Sequence, residues 1–167
     1  MFDSTEKEII AGVTYDLITQ IAPIEIPIFQ ITYEMFLENP EKVRTDWDDK
    51  LLGFDQSPNS IQDAAFLTPV LLSIIAEVIK FIRGEVQRSF QGNSSILISD
   101  AIKNMFKRFR PVERNAENEE VFSLTVDQLE RLHKLITKKA LQFRLSKIRA
   151  KLLADAIIGS LMVTLSK

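Results

Sequence analysis

Residues 66–90, FLTPVLLSIIAEVIKFIRGEVQRSF, restrict this chain more than any other stretch. Thr68 followed by Pro69 reads as a helix start, because proline lacks an N–H and is tolerated at the first helical position. Between residues 70 and 82 only Ser73, Glu77 and Lys80 are strongly polar. They recur at i, i+4 and i+7, so they form one thin stripe on an otherwise apolar cylinder. A helix apolar on nearly every side must be enclosed by other helices, by a partner or by lipid.

Enclosure by the chain itself is the first expectation. A chain of 167 residues fits one domain and can bury roughly 70% of the surface its unfolded form exposes. Only five glycines occur, and many apolar residues fall at helical spacing. The expected fold is therefore all-α: a single-domain bundle of six or seven helices around the apolar helix at 69–90, closed by a C-terminal helical hairpin. The absence of cysteine excludes structural disulfides and thiolate chemistry. Acidic Asp3, Glu6 and Glu8 follow Met1 without a basic n-region. No signal peptide is expected, and a cytoplasmic location is the default.

Charge is unevenly spread. Residues 1–91 hold 15 acids and 7 bases, and residues 92–167 hold 8 acids and 14 bases. Such asymmetry suggests either a basic surface for an acidic partner or two halves that face one another, within a chain or head to tail between chains.

Taken in order, the first helix should run over 6–21, with Thr5 and Glu8 as a capping box and Ile9, Ile10, Val13, Leu17, Ile18 and Ile21 as its buried stripe. Pro23 ends it. At 24–33 Ile24, Ile26 and Ile28 alternate as in a strand, yet no convincing partner strand exists. A helix from near Pro27, with Ile28, Ile31, Thr32, Met35 and Phe36 on its inner side, is the better reading. Asn39 and Pro40 should open a further short turn of helix. Residues 45–60 read as a loop holding Trp47 among Asp46, Asp48 and Asp49, and Ser60 or Asp63 should cap a short helix leading to the central one.

A helix over 96–110 should turn Ile98, Ala101, Ile102, Met105, Phe106 and Phe109 inward. A polar linker over 111–124 then separates an N-terminal body, 1–110, from the hairpin, 125–167. Thr125 with Gln128 forms a capping box for a helix over 126–142, buried along Leu129, Leu132, Ile136, Ala140 and Phe143. A turn at Arg144 and Leu145 leads to Ser146, which caps a last helix over 147–165.

Catalysis has little to build on. The lone histidine, His133, is expected to be a partly exposed surface residue. The aspartates at 46–55 lack the spaced ligands and closing glutamate of a calcium loop. No Gly-rich phosphate loop, G-x-S-x-G or H-E-x-x-H occurs. Neither catalytic residues, metal nor cofactor is expected.

Three non-enzymatic classes follow. Favoured is a cytoplasmic adaptor or assembly module that binds a protein partner or a second copy. Its interface candidates are Ile75, Glu77, Ile79, Lys80 and Asp155, the charged three fixing register or pairing. The alternative is a conditionally membrane-active effector using the apolar helix at 66–82, interrupted by Pro69, Glu77 and Lys80. The third is a helix-turn-helix nucleic-acid binder through 126–153. Its basic candidates are Arg131, Lys134, Lys138, Lys139, Arg144, Lys147, Arg149 and Lys151, although the sequence pI of about 5.5 argues against it. Ala150, Ala154, Gly159 and Ser160 would permit close helix contact.

Overall fold

The computed structural model describes residues 2–42, 67–89, 101–102, 105 and 124–165. It is all-α: α1 (Ser4–Ile21), a 3-10 turn (Pro23–Glu25), α2 (Ile26–Glu38), α3 (Leu67–Ser89), α4 (Val126–Gln142) and α5 (Lys147–Leu165). No strand occurs among the described residues, and the stretch 24–33 is helical. The loop expected over 45–60, the short helix expected before α3, most of the helix expected over 96–110 and all but the last residue of the linker expected over 111–124 lie outside the described residues. Within 96–110, Ala101, Ile102 and Met105 are helical and buried, as their spacing requires. The chain divides into two compact units, Met1–Ile9 with Glu77–Lys167, and Ile10–Ala76.

The apolar rod is buried along its length. Val70, Leu71, Leu72, Ile74, Ile75, Val78, Ile79, Ile82 and Val86 have no exposed surface. Ser73, Glu77 and Lys80 form the stripe that keeps access to water. Pro69 falls in the first turn, where a missing N–H is no loss.

In the unit Ile10–Ala76, α1 contributes Val13, Leu17 and Ile18 to the core, whereas Ile21, expected inside, is half exposed. Pro23 stops α1 and opens the 3-10 turn, and Pro27 is accommodated in the first turn of α2. Aromatic packing fixes the rotation of α2. Phe29 meets Tyr15 edge-on at 5.3 Å and stacks with Tyr33 at 6.0 Å, and Phe36 is buried one heptad on. Glu25, almost fully buried, caps α3 from 42 residues away: its carboxylate accepts from the N–H of Leu67 (3.0 Å), the N–H of Thr68 (2.7 Å) and the Thr68 hydroxyl. The helix expected from 69 already includes Leu67 and Thr68, and Thr68 is a donor within its first turn. Asn39 Oδ1 accepts from the N–H of Lys42 at 2.9 Å, opening the short turn expected there.

In the other unit, Asp3 and Glu6 form the box that opens α1, two residues before the expected Thr5 and Glu8. Either pair satisfies the local pattern. Glu6 also binds Arg83 of α3, through Nε at 2.7 Å and through a second guanidinium nitrogen, which favours the earlier cap. A third buried carboxylate, Glu85, joins α3 to α4: it accepts from Gln128 Nε2 at 2.6 Å, from Arg131 at 3.2 Å and from Arg88 at 2.7 Å.

The hairpin matches its expected bounds. Thr125 and Gln128 make both bonds of the capping box, at 3.2 and 2.8 Å. The N–H of Leu145 bonds the carbonyl of Ala140 and that of Arg144 bonds Leu141, the pair of bonds of a Schellman ending. Arg144 adopts φ 61° at the position that favours glycine. Ser146 Oγ then accepts from the N–H of Arg149 at 3.2 Å. Leu132, Ile136, Ala140 and Phe143 of α4 and Ala150, Leu153, Ala154 and Ile157 of α5 are buried. Gly159 does not serve close packing, since an added Cβ there would meet nothing within 4 Å.

Candidate interaction surfaces

The residues singled out in the sequence separate into engaged and idle sets. Ile75 and Ile79 are fully buried, so neither is offered to a partner in this conformation. Glu77 and Lys80 pair with each other at 3.2 Å on the surface. Asp155 Oδ1 accepts a hydrogen bond from His133 Nε2 at 2.8 Å, joining α5 to α4. Lys80 and Arg83 also lie over the Phe2 ring, at 5.8 and 5.7 Å.

The basic set divides as well. Arg131 belongs to the Glu85 network and stands 5.7 Å over the Phe81 ring. Lys139 is half-buried, and Arg144 and Arg149 are exposed at and just beyond the turn. Lys134 and Lys138 of α4 and Lys147 and Lys151 of α5 line one open groove of about 730 Å³, together with His133, Thr137, Leu141 and Gln142.

The hairpin is antiparallel well beyond its turn. His133 and Asp155 lie about 15 Å along their helices from Arg144, at 1.5 Å per residue, and still touch. Helices diverging at 90–120°, as in a helix-turn-helix, would be some 20 Å or more apart at that depth. The geometry therefore does not favour groove reading by α5.

One surface escaped the sequence reading. On α2 and the turn before it, Ile24, Ile28, Ile31 and Met35 are all exposed, by 44 to 62%. Within α2, Ile28, Ile31 and Met35 recur at steps of three and four residues, a repeat of 3.5 and the spacing of a coiled-coil seam. The periodicity of the sequence puts Ile28, Ile31 and Met35 on the inner side instead. They point outward because Phe29 and Phe36 compete for the core with larger apolar area. The aromatic stripe was visible in the sequence as Phe29, Tyr33 and Phe36 at i, i+4 and i+7. Tyr15 and Ile21 of α1 are exposed too.

Among the described residues no group of three His, Asp or Glu could hold a metal ion, and no helix is long and apolar enough to cross a membrane. No family model matches the chain, and no curated protein or solved structure is measurably similar to it.

Proposed function

We propose that this chain is a non-enzymatic helical assembly module that pairs with a second copy of itself through the outer face of α2, in the cytoplasm. The exposed row Ile24, Ile28, Ile31 and Met35 carries this reading. A contiguous aliphatic row has no favourable contact with water, and patches of this kind mark sites that another protein covers. A 3.5-residue repeat suits another helix, whose side chains fill the gaps between successive rows. A single face that meets its own copy about a two-fold axis gives a closed dimer. The sequence supports a non-catalytic role, since it holds none of the common phosphate-binding, hydrolase or zinc-protease motifs.

Light scattering on chromatographed protein at micromolar concentration tests this. The wild-type chain should show twice the single-chain mass, and Ile28→Glu with Ile31→Glu should return it to one chain with its helical circular dichroism intact. A wild type that stays strictly monomeric would overturn self-pairing. Co-purification of a different protein that the same double substitution releases would redirect the face to a heterologous partner.

A further inference from the structure

The outer face of the hairpin is unsatisfied in a different way from α2. Lys134 and Lys138 stand one turn apart on α4, Lys147 and Lys151 one turn apart on α5, and all four line the same groove. None of their ammonium groups makes a hydrogen bond or ion pair among the described residues, whereas Lys80, Arg83, Arg88 and Arg131 each hold a carboxylate. Like charges at i and i+4 oppose their own helix. Lys147 and Lys151 also occupy the opening turns of α5, which hold no acid and where the helix dipole disfavours cations. Asp155 is engaged by His133, and Glu130, one turn before Lys134, is the nearest acid on that side of α4. Beside the lysines, Ile148 and Leu152 form an outward ridge exposed by 75 and 63%.

We infer that this face lies on a bilayer surface of anionic phospholipid, the four lysines against headgroup phosphates and Ile148 and Leu152 in the interfacial layer. Charge complementarity requires an anionic occupant, and the residue types select among them. Nucleic-acid phosphates favour the planar fork of arginine and offer nothing to an aliphatic ridge. Protein interfaces are depleted in lysine. An anionic lipid surface accepts both features at once, mobile point charges at headgroup level and aliphatic side chains just below it. No described helix can span the bilayer, so α4 and α5 lie on it.

Flotation of the full chain with vesicles tests the inference. Protein should rise with phosphatidylcholine vesicles containing about a third phosphatidylserine and remain behind with phosphatidylcholine alone. Lys138→Ala with Lys151→Ala should weaken binding more than tenfold, at roughly fivefold per lysine near the surface. Arginine at both positions should retain binding, Ile148→Ser with Leu152→Ser should weaken it, and raised salt should release the protein. Lys138→Ala with Lys151→Ala should leave the mass measured by light scattering unchanged, which separates this surface from self-pairing on α2. Equal binding to uncharged vesicles, no binding to either kind, or lysine-dependent retention on duplex DNA or polyglutamate without vesicle binding would each overturn the inference.

Discussion

The ground around α3 and the outer faces of α2 and the hairpin are built on opposite terms. Around α3 each buried carboxylate among the described residues is answered. Glu6 meets Arg83, Glu25 meets the first N–H groups of the helix, and Glu85 meets Gln128, Arg88 and Arg131. On α2 and the turn before it four aliphatic side chains face water, and on the hairpin four lysines line one groove whose described lining includes no acid. Folding alone explains the first arrangement, because an unpaired buried carboxylate would be expelled. It does not explain the second, since polar residues on α2 and mixed charge on the hairpin would serve a lone folded chain better. The difference separates residues that hold this protein together from residues kept for something outside it.

Substitutions on each side test that division. The largest effect is expected at Glu25: alanine removes a carboxylate and leaves two N–H groups and the Thr68 hydroxyl without their acceptor. A loss of about 3 kcal/mol in urea unfolding follows from three bonds to a charged group. Thr14 departs from this on the interior side, because its buried hydroxyl has no hydrogen-bond partner among the described residues. Thr14→Val should therefore stabilise the fold by about 1 kcal/mol, read as a raised unfolding midpoint. The smallest change is expected on the hairpin, where Lys147→Glu places an acid at the start of α5 and one turn before Lys151. It should raise stability by about 0.5 kcal/mol in the same assay while weakening vesicle binding, as befits a residue retained against the helix it sits on.

How far the sequence could be read followed the range of each interaction. The Thr125 and Gln128 box and the Ser146 cap lie within three residues of what they bind, so the hairpin was legible to its ends. Glu6, Glu25 and Glu85 find partners 42 to 77 residues away, and no local pattern announces such a pairing. The start of α1 shows the same limit, since Asp3 with Glu6 and Thr5 with Glu8 are equivalent until Arg83 chooses. In α2 two apolar stripes share thirteen residues, and periodicity cannot rank them. The packing of Phe29 against Tyr15 decides which turns inward, and that contact becomes visible only in three dimensions.

Self-pairing through α2 is tested most directly by the unfolding midpoint measured across a hundredfold range of protein concentration. Association through Ile24, Ile28, Ile31 and Met35 makes unfolding release two chains, so the wild-type midpoint should climb with concentration while that of Ile28→Glu with Ile31→Glu stays level. A wild-type midpoint that does not move, matching the variant at every concentration, would contradict it.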